Sequence, residues 1–583
     1  MGTTLLNADL VAESTASGAW QDNFIDGYLS DAAQAVPDRP AVVDRGRTWT
    51  YAEFDAIVDA LGAALQRHGV GHGDVVSWQL PNWAEACAIH LAAIRIGAIS
   101  NPIMPIYRHS ETRFILEQAK SKIAFIPGTF RNFDFSEMFA EITTGLLELT
   151  TVVVLGEAQR DHEVSFEDFL DGFHGSKPEP VTRDANDLVL LLYTSGTTSA
   201  PKGALHTHNT LDYENRSIIE VIGLTQGDVV FMPSPVGHIT GILYGIQMPP
   251  MLRSGVVLLD IWEPTAGLEL IQEHQCAFML AATPFLHGLV HHPSLGDYDV
   301  SSLRNFLCGG ADVPPDLIVN GTTALDCMVA RVYGSTEYPT ATTGHAADPL
   351  QKRAHTDGRA IGLARIRIVD DHETDLDSGQ DGELLARGPE MFVGYLDAEL
   401  NKSAFTDDGW FRTGDLGRID ADGHLEITGR KKDIIIRGGE NLSAKEVEDH
   451  LFAHPKIAEV AVVGSPDPVL GERVCAVVVP EPDVAVDLTE LIEWLLERKI
   501  AKQKLPESLI VLDEMPRTAS GKIQKFKLRD LAKDLVEGGR LPDQQITRAP
   551  QRSTLPAPRS THPSTQAAAT VPSRNGKSRT STS

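Results

Sequence analysis

An unbroken apolar run, Leu188-Val189-Leu190-Leu191-Leu192, leads straight into Tyr193-Thr194-Ser195-Gly196-Thr197-Thr198-Ser199-Ala200-Pro201-Lys202-Gly203. The run reads as a buried strand. The segment behind the loop, His206-Thr207-His208-Asn209, is polar and reads as a helix start. A strand therefore feeds a loop of hydroxyls, glycines and one lysine. Backbone N–H groups freed by Gly196 and Gly203 can face an anion, the hydroxyls add donors, and Lys202 adds charge, so the composition is that of a phosphate cradle. It is not a Walker A loop, because Pro201 precedes Lys202 and Gly203 follows it. The plainer alternative is a Ser/Thr/Gly-rich surface turn.

The flanking chain sets the fold class. Thr50-Tyr51-Ala52-Glu53 is a capping box ahead of an apolar stripe at Phe54, Ile57, Val58, Leu61 and Leu65, and Gly69 stops it. A strand follows over 74–80, a helix over about 83–96, another near 111–119, and a strand over 122–126. This alternation predicts an α/β core with a mostly parallel sheet. Leu307-Cys308-Gly309-Gly310-Ala311 ends a strand on two glycines, which let a flat ring or a backbone approach closely. Arg331 to Glu337 repeats the device and adds hydroxyls and a carboxylate suited to a hard cation. From about Asp357 short β segments take over, with strands expected at 365–369, 382–386 and 425–428, forming a small β subdomain that carries Asp415. The charge cluster Gly429-Arg430-Lys431-Lys432-Asp433 reads as a linker. Beyond it, Ser443 and Asp487 open helices and strands are expected at 457–463 and 474–479, a compact α+β unit. Lys522 follows a glycine in Pro516-Arg517-Thr518-Ala519-Ser520-Gly521-Lys522 and reads as a solvated lysine on an exposed loop. His238 is a lone histidine among small and apolar residues, a pattern usually structural. Residues 541–583, rich in Ser, Thr, Pro, Ala and Gln, read as a disordered tail.

Composition excludes several classes. At 583 residues the chain can form two or more domains. Its formal net charge of −29 argues against a nucleic-acid partner and means that an anionic substrate is drawn in by a local positive site. The five cysteines, Cys87, Cys276, Cys308, Cys327 and Cys475, are scattered and form no C-x-x-C pair, which disfavours a disulfide framework or a zinc site. Met1 to Trp20 lacks a basic region followed by an apolar core, so no secretory signal is expected. No transmembrane segment is expected either, and the cytoplasm is the default compartment.

Taken in order, Thr194–Gly203, Tyr333–Glu337, Thr413-Gly414-Asp415, Gly429–Glu440 and Pro516–Lys522 resemble the adenylate-forming (AMP-binding) superfamily of acyl-CoA synthetases, adenylation domains and luciferases. The resemblance covers about residues 20 to 535. It implies an α/β fold with a large N-terminal domain of layered sheets and helices plus the small β subdomain over 1–428, a hinge at 429–433 about Lys432, and a small mobile α+β domain over 434–540. Thr194, Ser195, Gly196, Thr197, Thr198 and Lys202 would hold the phosphates of ATP. Gly309, Gly310, Ala311 and Tyr333 would line the adenine, Gly334 would also belong to the ATP site, and Asp415 and Arg430 would hold the ribose. Glu337 would bind Mg2+ and Thr336 the α-phosphate, while Lys522 would bridge the substrate carboxylate and the α-phosphate. His238, Ile239, Gly241 and Tyr244 would form the acyl pocket, with His238 as gate or orienter.

Rotation of the small domain would withdraw Lys522 and present Gly438, Gly439, Glu440 and Asn441 to CoA. The implied activity is an ATP-dependent acyl-CoA ligase acting through an acyl-AMP. Gln79-Leu80-Pro81-Asn82-Trp83, the segment 101–106 and Asp260-Ile261-Trp262 look most like ligases of short- to medium-chain or alicyclic (cyclohexanecarboxylate-type) acids. Val236 to Tyr244 carries no aspartate for a substrate ammonium, and no carrier domain is expected after Lys522, where the tail is too polar to fold. The alternative is an enzyme that loads acyl-AMP onto a separate carrier protein. A non-catalytic relative is disfavoured by the presence of both Lys522 and Glu337. The oligomeric state stays open, a homodimer included. Ser199 departs from the family, which usually carries Gly there; at positive φ it would cost about 1 kcal/mol.

Overall fold

The computed structural model describes residues 7–158, 160, 163–194, 201–310, 313–438, 440–517, 522–538 and 545–547. Among these, the large unit holds two broad sheets. One has nine strands, with Met328–Tyr333, Asn305–Gly309, Phe278–Ala281, Val230–Met232, Val256–Leu258 and Pro40–Asp44 as its parallel centre. The other has eight, with Leu188–Thr194, Ile99–Pro102, Val75–Trp78, Ser121–Pro127 and Thr151–Leu155 parallel at its middle. Such strands need cover on both faces, and the helices supply it. Helix Ala84–Arg95 is buried almost all round, from Ala84 to Ile94. One continuous core joins its Ile89 and Ile94 to Val76, Leu190, Leu243 and Leu307, so both broad sheets share it. The α/β class expected from the alternation is the class observed.

Local signals explain several boundaries. Thr50 caps helix Tyr51–Arg67 and Glu53 returns the bond, a complete capping box. Asp487 caps helix Leu488–Glu497. The strands expected at 365–369, 382–386 and 425–428 appear as Arg365–Val369, Gly382–Arg387 and Leu425–Arg430, which with Phe411–Ile419 make a four-stranded antiparallel sheet. A separate sheet follows, built on the long hairpin Ile457–Asp467 and Gly471–Pro480. All five cysteines are buried and unbridged. Among the described residues, no helix is long and apolar enough to cross a membrane.

Three expectations are corrected. Lys202–Thr207 is a strand, antiparallel to Leu188–Thr194 with Thr194 opposite Lys202, and the helix begins only at His208. The loop therefore closes a hairpin instead of leading into a helix N-terminus. Its residues 195–200, Ser199 among them, lie outside the described residues. Gly429 and Arg430, read as linker, end the last strand of the four-stranded sheet, so only Lys431–Asp433 separates that sheet from the next. Part of the segment read as a disordered tail, Gln545–Thr547, pairs in parallel with Leu509–Val511.

Candidate active site

A cavity of about 810 Å3 opens where the C-terminal ends of the central strands meet the four-stranded sheet, and the small unit lines one side of it. Its walls bring together Thr194, Lys202, His238, Ile239, Tyr244, Gly309, Gly310, Gly334, Thr336, Glu337, Asp415, Arg430, Lys432 and Lys522. Residues more than 300 apart in the chain thus share one space. The reading of Lys522 as a solvated surface lysine is overturned, because it is part-buried in this wall. Gly310 leaves the strand with φ +81°, a conformation that favours glycine, and a Cβ there would stand 4.0 Å from Lys522 Cε.

The hairpin strand Lys202–Thr207 positions the acidic side of the cavity. The Lys202 ammonium lies 5.3 Å from the centre of the Tyr395 ring, and the Tyr395 hydroxyl donates to Glu337 Oε1 at 2.7 Å. On the same strand, His206 Nε2 lies 2.8 Å from the Thr336 carbonyl oxygen. A carbonyl only accepts, so Nε2 carries the proton. Burial holds His206 neutral, its pKa pulled down to about 4. Phe392 N–H donates to the Glu337 carbonyl at 2.8 Å. The backbone of Thr336 and Glu337 is therefore fixed from two sides. Neither His206 nor Tyr395 stands out in the sequence, since their partners lie 130 and 58 residues away.

At the other end, Asp415 is 4% exposed and already engaged. Arg430 Nε donates to its Oδ1 at 2.7 Å and the Tyr333 hydroxyl to its Oδ2 at 2.7 Å. These pairings follow from strand register, which sets Asp415 opposite Arg430. Tyr333 itself is not among the lining residues; its ring packs against the Tyr338–Phe392 cluster, while its neighbours Val332 and Gly334 face the cavity. Burial, and then the nearby Arg430 charge, press the Lys522 ammonium down to about 8, against the opposing pull of Asp415 and Glu337.

His238 Nδ1 lies 3.4 Å from Thr240 N–H, which only donates, and 3.3 Å from the Thr240 hydroxyl, which can also donate; the two contacts together suit a bare Nδ1 and a proton on Nε2. Burial, with the Lys522 charge second, lowers its pKa to about 4. Tyr244 lies in a π-helical turn, Gly241–Gln247, with its hydroxyl 2.5 Å from both Glu214 Oε1 and Thr340 Oγ1. Gly241, expected to line the acyl pocket, does not. A Cβ there would overlap the Pro235 carbonyl oxygen and Val236 Cα, so this glycine lets the His238 loop fold back on the helix. Gly241→Ala should destabilise the protein by about 1–3 kcal/mol, read as a lower urea midpoint at unchanged m. Gly438 and Glu440 sit away from the cavity walls, at the turn between Ile434–Arg437 and Glu440–Ser443. Ala311, Gly439 and residues 195–198 lie outside the described residues, as does the side chain of Asn441.

Residues 29–396 match the family model of the AMP-binding enzyme, and residues 446–522 that of the AMP-binding enzyme C-terminal domain. The chain is 38% identical over 545 residues to a medium-chain fatty-acid–CoA ligase of Escherichia coli K12, covering 92% of this chain and 95% of that one. It is 31% identical over 532 residues to a 2,3-dihydroxybenzoate-AMP ligase of Bacillus subtilis, covering 90% and 96%. The crystal structure of ATP-bound MatB from Rhodopseudomonas palustris superposes with a TM-score of 0.80 at 29% identity, covering 88% of this chain and all of that one.

Proposed function

Since the chain belongs to the AMP-binding enzymes and is an AMP-forming acid–thiol ligase, we propose that it converts a carboxylic acid, ATP and CoA into an acyl-CoA, AMP and pyrophosphate. The acid is short- to medium-chain, aliphatic or alicyclic. Support for the chain length comes from the E. coli medium-chain relative and from the apolar walls Ile239, Leu243, Trp262, Leu280 and Phe285.

The observation that carries the reading is the meeting of Lys522 with Glu337 and His238 in one cavity. In the first step a carboxylate oxygen bonds to the α-phosphorus of ATP and the bond to the β-phosphate bridging oxygen breaks, releasing pyrophosphate. Two anions must approach each other, and a part-buried ammonium at Lys522 offsets their repulsion. The proton on His238 Nε2 suits it to donate to the acid's carboxylate. Asp415 and Arg430 suit the ribose, and Lys202 with the hairpin loop suits the departing phosphates. Glu337, fixed by the Tyr395 hydroxyl and by its own backbone, is a hard oxygen donor fit for Mg2+, which when bound supplies charge neutralisation at the phosphates. In the second step the CoA thiol bonds to the acyl carbon, and the bond from acyl carbon to phosphate oxygen breaks to free AMP. The Gly438–Asn441 turn would serve this step after rotation about Lys432.

Purified protein with ATP, Mg2+ and a panel of acids should release pyrophosphate in an acid-dependent way, and adding CoA should yield thioester and AMP. Acid-dependent pyrophosphate release with no thioester on adding CoA would favour loading of a carrier protein, the reading suggested by the AMP-ligase relative. No pyrophosphate with any acid would sink the proposal. His238→Ala should raise the KM for the acid about 10-fold, the loss of one buried hydrogen bond, and leave the KM for ATP unchanged. Because the ring is neutral above about pH 4, the acid limb of kcat/KM should show no inflection near 6.5 from this residue.

A further inference from the structure

The Gln79–Trp83 loop holds an amide whose placement the proposed chemistry does not use. Asn82 is 5% exposed and bridges the two broad sheets. Its Nδ2 donates towards the carbonyls of Met232 at 3.2 Å, Ser234 at 2.8 Å and Leu259 at 3.1 Å, and its Oδ1 accepts from Val236 N–H at 2.8 Å. Three acceptors on one side and a donor on the other fix the orientation of the amide. Met232 ends one parallel strand and Leu259 follows the next. Ser234 and Val236 belong to the turn that delivers His238, whose N–H donates to Pro235 O at 3.0 Å.

The neighbouring side chains act in the same direction. Trp83 Nε1 donates to Asp260 Oδ2 at 3.0 Å, just past Leu259. Gln79 Nε2 donates to the carbonyls of Met104 and Tyr107, both at 3.0 Å, and both residues line the cavity. The two lips meet at Gly237, where a Cβ would stand 3.7 Å from Met104 Sδ. One loop therefore anchors both sides of the end of the cavity that carries His238.

We propose that Asn82 is a positioning residue for His238: it sets the turn Ser234–Val236 against the neighbouring strands and so fixes where the imidazole presents its proton to the acid. This inference rests on the acid-activating reading above. No other side chain of similar size supplies two donors and an acceptor in this arrangement. Aspartate keeps the acceptor for Val236 but turns an oxygen towards three carbonyls, and alanine takes the amide away from all four groups, leaving the Met232 carbonyl only the Leu259 N–H at 3.4 Å.

The test compares wild type, Asn82→Asp and Asn82→Ala in both half-reactions and follows the His238 imidazole by NMR titration. In both variants the KM for the acid should rise and acid-dependent pyrophosphate release should fall, together by about 10- to 100-fold in kcat/KM, the range for buried groups left unsatisfied. The KM for ATP, and transfer from supplied acyl-AMP to CoA, should stay within about 2-fold, a selectivity that loss of a merely structural bond would not give. The Asn82→Asp defect relative to wild type should shrink as pH falls, because the protonated carboxyl regains a donor. The His238 titration should move from about 4 towards the ordinary value as the ring loses its seat. Uniform loss in both half-reactions, or an unmoved His238 titration in a folded variant, would overturn the inference. A wild type that turns over no acid would defeat the reading of the preceding subsection, while the histidine titration would still decide this one.

Discussion

Lys522→Ala will lower acid-dependent pyrophosphate release by about 10²–10³-fold, the loss seen when one charged or dipolar donor to a transition state is removed. Transfer of the acyl group from supplied acyl-AMP to CoA will stay within a few-fold of wild type. The asymmetry follows from geometry. Lys522 lines the cavity beside Gly310 and shares it with Glu337 and Asp415, whereas the Gly438 turn lies outside it. In the proposed cycle each half-reaction would draw on a different face of the small unit. The same lysine sets a pH dependence. Its pKa is depressed to about 8, so the charged form prevails below that value and is lost as pH rises through it. Adenylation measured as kcat/KM should therefore fall above about pH 8. Bound ATP brings negative charge that favours the ammonium, so kcat should hold to higher pH than kcat/KM. A wild-type kcat/KM flat to pH 10, or equal loss of both half-reactions in the variant, would defeat this account.

Asp415→Ala should produce the second large effect, a drop of about 10²-fold in kcat/KM for ATP. Asp415 is the shared acceptor for Arg430 and Tyr333. Removing one partner of a buried ion pair also costs about 3–5 kcal/mol of stability, and the half-exposed Arg430 side chain brings that loss to the lower end of the range. The thermal midpoint should fall as well. Asp415→Asn keeps an acceptor for Tyr333 but not the charge, and should lie between alanine and wild type. Asp415 also raises the Lys522 pKa, so either substitution should move the alkaline limb of adenylation to lower pH. A variant whose alkaline limb stays in place would show that the two groups do not communicate.

Short-range rules made much of this fold legible. The capping box at Thr50, the Asp487 cap and the turn-bounded strands of the β subdomain all depend on neighbours within a few residues. The hairpin is hidden in the sequence because His206-Thr207 looks like a polar helix start. In the structure His206 is a buried strand residue, and its polarity is answered by Thr336, 130 residues away. Tyr395 was invisible for the same reason, since only the folded chain brings it to Glu337. Gly241 has the sequence context of pocket lining, yet its place in the fold is to leave room for the backbone of Pro235 and Val236. The motifs supplied the chemical types at the cavity. The side chains that aim them came from tertiary contacts, which no spacing rule records.

Only Lys431–Asp433 joins the four-stranded sheet to the sheet that leads to Lys522. Three extended residues span at most about 10 Å. A tether that short keeps the lysine at an effective concentration on the order of millimolar or above around the cavity, however dilute the protein is. In the proposed cycle, return of the lysine would thus be first-order and indifferent to enzyme concentration. Under the proposed rotation, the same leash would make the two faces of the small unit compete for one berth, so that a single molecule would host one half-reaction at a time.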